Sequence, residues 1–207
     1  LPKERPHAEP GERARKRALI EWRVLVLSGT LLLYSYGYGA ITSFAAMYAE
    51  ASGSAPRGIY LTVVGLAIIA TRPFLGRFAD RIGHVRLLIP CLALISAGLL
   101  VLVVGGGSRL SQVMSAVIFG TGYGTAYPVY AAYLLDRVSP ARRGAAFGAL
   151  ISAFDTGIGL GSLVTGWVIG VAGYRAGFGA AAALSALAIP YFFTVRRDLP
   201  DRAESRA

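Results

Sequence analysis

Residues 87–108 read LLIPCLALISAGLLVLVVGGGS, a stretch of 22 positions without one charged side chain. A soluble amphipathic helix would break such a run with a polar face. A helix needs about 20 apolar residues to cross the roughly 30 Å hydrocarbon core of a bilayer, so this stretch is long enough to span it. Five further runs of the same character lie on either side: 24–49, 58–76 with Arg72 near its end, 110–135, 144–174 holding Asp155, and 176–195. The run 144–174 is longer than a straight crossing needs and is expected to tilt or to extend into the interface. The first run follows a long charged stretch and exceeds the apolar core of a cleavable signal.

The composition of the 207 residues agrees, with 55% hydrophobic and only 15% charged. Soluble domains carry about 25% charge, dispersed by helix or strand periodicity. A soluble enzyme, a disordered chain and a nucleic-acid module are excluded. Cys91 is the single cysteine and sits inside an apolar run, and the only histidines are His7 and His84. No disulfide framework is available within the chain, metal chemistry has few ligands to draw on, and no cofactor is expected.

Basic residues fall unevenly between the runs. Alternate connections and the two ends hold 18 of the 21 Lys and Arg; the opposite side holds only Arg57, Arg109 and Arg175. The positive-inside rule places both termini in the cytoplasm, as an even number of spans requires. The same asymmetry accounts for the net charge of +10 without nucleic acid as a partner. Trp22, Tyr133 and Tyr191 near the inner interface, and Tyr48, Tyr60, Trp167 and Tyr174 near the outer one, read as interfacial anchors. Residues 1–23, charged and rich in Pro and Glu, read as a cytoplasmic linker, 24–195 as the six-helix transmembrane domain, and 196–207 as a cytoplasmic tail. Leu1 stands where a Met would open a chain, and a linker needs something before it; a longer protein is expected.

Between the second and third runs lies Gly76-Arg77-Phe78-Ala79-Asp80-Arg81-Ile82-Gly83-His84-Val85-Arg86. Asp80 is placed to accept backbone hydrogen bonds, Gly83 permits a tight turn, and Arg81 and Arg86 hold the loop at an anionic surface. Between the fourth and fifth runs lie Asp136-Arg137 and Pro140-Ala141-Arg142-Arg143-Gly144. Two solvated basic loops would explain the arginines, but not the Gly-x-x-x-Asp-Arg-x-Gly spacing.

Gly76, Asp80, Arg81, Gly83 and Arg86 resemble the loop motif of the major facilitator superfamily of secondary transporters, with His84 and Val85 as departures. Pro140, Arg143 and Gly144 resemble the Pro-x-x-Arg-Gly pattern that follows the fourth helix of each half in that family. The stretches 120–128 and 154–161, followed by Gly173-Tyr174-Arg175, resemble the tenth to twelfth helices of prokaryotic members, and the likeness covers residues 15–197. It implies an all-α membrane fold: six transmembrane helices as two inverted three-helix repeats, about 24–108 and 110–195, forming the C-terminal half of a twelve-helix protein. The implied partners are a missing N-terminal six-helix half, a small-molecule substrate and the lipid bilayer of a prokaryotic cell (inner) membrane. Within the family, the motif's Asp, here Asp80, braces a helix end across the boundary between halves.

Asp155 is the sharpest candidate for coupling. It lies 11 residues past Gly144, roughly 16 Å into the bilayer at about 1.5 Å per residue. A charge there costs about 2.5–3.5 kcal/mol on insertion scales, so it must face protein or water. Proton coupling is one reading, and a permanently hydrogen-bonded Asp that pins helix packing is the other. Tyr123, Tyr127 and Tyr130 share a face of the fourth run, and Tyr34 and Tyr38 one of the first. The resemblance implies that these two spans line the central cavity, where phenol rings would hold an amphipathic or cationic substrate; ordinary aromatic packing is the alternative. Arg72, next to Pro73, reads first as a side chain snorkelling to the interface and second as a contact for substrate charge. Gly157-x-x-x-Gly161, Gly166-x-x-x-Gly170 and Gly120-x-x-x-Gly124 permit close helix contact, and Gly124 with Pro128 forms a bend.

The leading function is ion-coupled secondary transport by alternating access: proton-coupled efflux of a small amphipathic compound or drug. Ion-coupled uptake of a sugar or organic acid is the runner-up; for sugars, the single Gln112 and the absence of Asn weigh against it. A non-transporting membrane scaffold and a half-size homodimeric transporter remain as alternatives. No acid, base and nucleophile converge at a usable spacing, so an enzyme is not expected.

Overall fold

Within long apolar runs every backbone N–H and C=O must find its partner inside the segment, which leaves the helix as the open-chain solution. The computed structural model describes residues 10–53, 56, 58–138, 140 and 143–197, the side chains at 10–25, 74–80 and 197 excepted. Five α-helices carry them: α1 (Pro10–Ala51), α2 (Ile59–Ile82), α3 (His84–Val104), α4 (Arg109–Leu135) and α5 (Arg143–Arg197). Of these, α3 and α5 are by length and composition apolar enough to cross a bilayer. α1 starts within the stretch read as a linker. Arg, Lys, Glu and Ala after Pro10 are good helix formers, and Pro suits the first helical position because its missing N–H needs no partner there.

The six apolar runs become five helices because the last two are one element. α5 is interrupted at Gly173, whose φ of 81° and ψ of 172° lie outside helical geometry. Positive φ at that position suits a residue without Cβ. The chain folds back there, since Gly177 lies against Ile169 and Thr165, which a straight helix would hold far apart. α5 therefore consists of two antiparallel arms.

Contacts between helices follow an exchange. α1 runs parallel to the first arm of α5: Ser35 Oγ donates to the Phe154 carbonyl (3.2 Å), Ser43 and Ser162 hydroxyls pair at 2.8 Å, and Thr165 donates to the Tyr36 hydroxyl at 3.2 Å. A Cβ at Gly39 would collide with the carbonyl oxygen of Ile158, and one at Gly161 with that of Tyr36, so the two main chains touch. The second arm runs antiparallel to α1, with Tyr174 and Phe178 on Tyr48 at one end and the Tyr191 hydroxyl donating to the Val26 carbonyl (2.8 Å) at the other.

α4 repeats the pattern with the other pair. It lies parallel to α2, where the Tyr60 and Ser115 hydroxyls share a hydrogen bond of 2.8 Å and Gly124 meets Ile68 and Thr71. It lies antiparallel to α3, where Ser115 donates to the Gly98 carbonyl (2.6 Å) and Gly122 meets Cys91 and Ile95. Each leading helix thus leaves its sequence neighbours and packs on the opposite pair.

The interfacial-anchor reading needs correction at three positions. Tyr48, Tyr60 and Tyr133 are 7%, 0% and 1% exposed, packed inside the bundle. Membrane depth sets how far along a helix a tyrosine lies, not which way it points, and these three point inward. Trp167, 71% exposed, does face outward; the Trp22 side chain lies outside the described residues.

The contact between α1 and α5 yields a direct test. Gly39→Val forces a side chain against the Ile158 carbonyl and should destabilise the full-length protein by about 1–3 kcal/mol. Gly179→Ala, with nothing within 4 Å of its new methyl, should change stability by less than about 0.5 kcal/mol. Thermal unfolding in detergent distinguishes them, and equal effects would refute the close approach.

Candidate substrate cavity

α1 and α4 meet antiparallel along a seam of aromatic rings. Tyr38 stacks on Tyr123 with centroids 4.3 Å apart and planes 7° from parallel, and Phe119 extends the stack at 5.5 Å from Tyr123. Tyr34 meets Tyr123 and Tyr130 edge-on at 6.1 and 6.5 Å. These offset and T-shaped geometries satisfy the ring quadrupoles.

Beside the seam, between α2, α4 and the first arm of α5, lies a cavity of about 490 Å³. α2 contributes Ile68 and Arg72, α4 contributes Tyr123, Gly124, Tyr127 and Pro128, and α5 contributes Phe154. Phe154 closes edge-on against Tyr127 at 5.0 Å. Arg72 lies one turn beyond Ile68, as Pro128 lies one turn beyond Gly124; the parallel run of α2 and α4 keeps them level. Arg72 is exposed and has no acidic partner among the described residues. Tyr123 is 7% exposed, and its hydroxyl has no hydrogen-bond partner among the described residues. Leaving a buried hydroxyl unpaired costs about 1–3 kcal/mol. The cavity itself offers aromatic rings and one cation.

Two of the five tyrosines expected in the cavity line it, Tyr123 and Tyr127, and Tyr38 supports Tyr123 from behind. Tyr34 and Tyr130 are fully buried in the core. Tyr130 shares the azimuth of Tyr123 but lies two turns further on, where Phe192 packs on its ring and the Leu27 carbonyl accepts its hydroxyl proton. Arg72, expected at the end of its apolar run, also lines the cavity. Phe154 and Ile68 were not singled out from sequence. Helical phase is the available signal for Phe154, since about 100° around the helix separates it from Asp155 and turns it to a different face.

Asp155 is exposed, on a face of the first α5 arm that also carries Gly148, Ser152 and Gly159, and it has no ion-pair partner among the described residues. Of the loop motif, Gly83 adopts φ 85° at the start of α3, and Arg81 and Arg86 are exposed on either side of it. Asp136 caps the end of α4, and Arg143 opens α5. Gly76 and Asp80 lie in α2, but their side chains are outside the described residues.

Comparison with known proteins places this geometry. The model of the Major Facilitator Superfamily matches residues 26–207. A staphylopine export protein of Staphylococcus aureus is 27% identical over 157 residues, covering 73% of this chain and 39% of its own length. An uncharacterised MFS-type transporter of Pseudomonas aeruginosa is 29% identical over 161 residues, covering 77% and 40%. The uncharacterised MFS-type transporter YhhS of Salmonella enteritidis is 25% identical over 209 residues, covering 99% and 51%. The chain thus spans about two-fifths to half the length of these relatives. In fold it is similar to a POT-family peptide transporter in complex with sulfate, with a TM-score of 0.76 at 21% identity over 88% of this chain and 42% of that one. An auto-inhibited POT-family peptide transporter gives a TM-score of 0.74 at 16% identity, over 86% and 38%. With a family model matching nearly all of it, the chain belongs to the Major Facilitator Superfamily.

Proposed function

We propose that the chain is the C-terminal six-helix half of an alternating-access transporter, and that the cavity between α2, α4 and α5 holds a small amphipathic cargo exported in exchange for protons. The exchange of leading helices supports two inverted repeats, about 24–108 and 110–195: α1 lies parallel to the first α5 arm and antiparallel to the second, as α4 does to α2 and α3, and α1 and α4 are themselves antiparallel. The split of basic residues supports both ends in the cytoplasm, with 1–23 as linker and 196–207 as tail, in a prokaryotic inner membrane. The missing N-terminal half is the partner that would face the loop motif of Gly76, Asp80, Arg81, Gly83, Arg86, Asp136 and Arg143.

One observation carries the cargo assignment: the cavity joins the ring faces of Tyr123, Tyr127 and Phe154 to the guanidinium of Arg72. An aromatic body would stack on the rings while a polar or anionic end met Arg72. The same arginine favours a second reading, uptake of an organic acid, and the direction of flux separates the two. Proteoliposomes of the full-length protein with an imposed pH gradient, offered aromatic amphipaths that differ only in charge, test both. Gradient-driven flux of the anionic members, abolished by a protonophore, supports the site; absence of flux for every member refutes it.

Asp155 is the proposed coupling group, because a carboxylate at midplane depth with no partner in its own half can take up and release a proton as its surroundings alternate. Asp155→Asn should abolish gradient-driven accumulation while leaving gradient-independent exchange of cargo across the membrane. Accumulation at the unmodified rate would remove Asp155 from the mechanism.

Tyr123→Phe deletes only the unpartnered hydroxyl. Cargo affinity should fall by about 5- to 10-fold, the size of one hydrogen bond, while the cargo-free protein gains thermal stability or keeps it. A drop in stability with unchanged affinity would show that the hydroxyl serves packing alone.

A further inference from the structure

Away from the cargo cavity, three helix ends converge on a second cavity of about 340 Å³. Arg86 reaches it from the first turn of α3, Arg137 from just beyond the cap of α4, and Arg196 from the end of α5; His84, Tyr133 and Asp136 complete its polar lining. Three guanidiniums therefore share the space with one carboxylate, and Asp136 is itself engaged with another group.

The cavity is built rather than a loose patch of surface charge. Arg137 donates from Nη1 to the Tyr133 carbonyl at 2.9 Å and lies over the Tyr133 ring, its Cζ 3.7 Å from the centroid. The guanidinium is thereby held in place. Tyr133 is 1% exposed, and its hydroxyl has no hydrogen-bond partner among the described residues. α3 begins here at Gly83, which has no side chain to cap it, so the positive end of the helix dipole adds to the same site. Planar forks on three elements and a helix N-terminus suit a tetrahedral oxyanion, which takes several charge-assisted hydrogen bonds at once.

We propose that this cavity binds a phosphate group, carried by an anionic glycerophospholipid or supplied as the free ion. Ile82 and Ile89 form part of the wall, an apolar flank suited to the glycerol and first methylenes of a lipid. The site lies wholly within this half, so it ties the ends of α3, α4 and α5 together without involving the cargo cavity.

The proposal differs from a diffuse attraction of basic loops to an anionic membrane, which would depend on how many charges are present and not on which. Native mass spectrometry of the full-length protein, released from nanodiscs of mixed phosphatidylglycerol and phosphatidylcholine, reads lipid retention directly. The unmodified protein should retain phosphatidylglycerol selectively, and Arg86→Gln with Arg196→Gln should lower that retention by about tenfold or more. Arg81→Gln with Arg143→Gln removes the same charge from the same loops outside the cavity lining and should leave retention unchanged. In nanodiscs of phosphatidylcholine alone, a rise in melting temperature on adding inorganic phosphate, absent in the Arg86/Arg196 variant, would assign the site to the free ion. Gel filtration and circular dichroism check the fold of each variant; should the double variant fail to fold, Arg196→Gln alone serves. Equal loss in both double variants, or no lipid preference and no phosphate effect in the unmodified protein, would overturn the site.

Discussion

At Gly39 and Gly161 the main chain of α1 touches the main chain of α5, and the arrangement of the other helices depends on that contact. Lipid offers helices no hydrophobic reason to associate, so close packing and interhelical hydrogen bonds must supply the attraction. Removing Cβ at the crossing brings both within reach: Ser35, Ser43 and Ser162 bridge the two helices. Once α1 is committed to α5, α2 and α3 lose their nearest sequence neighbour as a partner and pack on α4 instead. α1 and α4 then face one another across the middle, and the tyrosines on each meet there. The cavity beside Tyr123 is a product of this exchange; had each leading helix stayed with its own pair, Arg72 of α2 and Phe154 of α5 would have no reason to approach the same tyrosines.

Much of this arrangement was visible in the residues before any coordinates. Uninterrupted apolar runs imply helices, and the pairs Gly157/Gly161 and Gly120/Gly124 imply close crossings, as found; of the third pair, Gly166 meets only the Phe44 ring and Gly170 has nothing within 4 Å, so no such crossing forms there. Gly39 was not recognised as a crossing point because a lone glycine carries no spacing signal. The break in α5 at Gly173 was expected near Arg175, since the charge was the more conspicuous mark than the backbone conformation. The tyrosines divide for a physical reason. Periodicity specifies which residues share a face, and Tyr123, Tyr127 and Tyr130 do; it does not specify what covers that face at each level. Phe192 and Leu27 cover Tyr130, whereas a gap between α2 and α5 leaves Tyr127 open. Depth misled in the same manner for Tyr48, Tyr60 and Tyr133, whose distance along the helix fits an interface while their direction does not.

The two charges at membrane depth point different ways, and that separation bears on how such a protein works. Phe154 turns into the seam, and Asp155, the next residue, turns out of it onto a face of small and polar side chains. Arg72 enters the cargo cavity from α2. A charge at the centre of a bilayer, the depth expected for Asp155, costs about 2.5–3.5 kcal/mol on insertion scales, and neither Arg72 nor Asp155 has an ion-pair partner among the described residues. A pair placed to hold helices together would be expected to offset one another across a single contact. In the function proposed above, an anionic end of the cargo would offset Arg72, and a proton would offset Asp155. In the proposed transport cycle, separate helices would let cargo and proton bind independently, and the conformational change that exposes each in turn would couple them, without competition for one site.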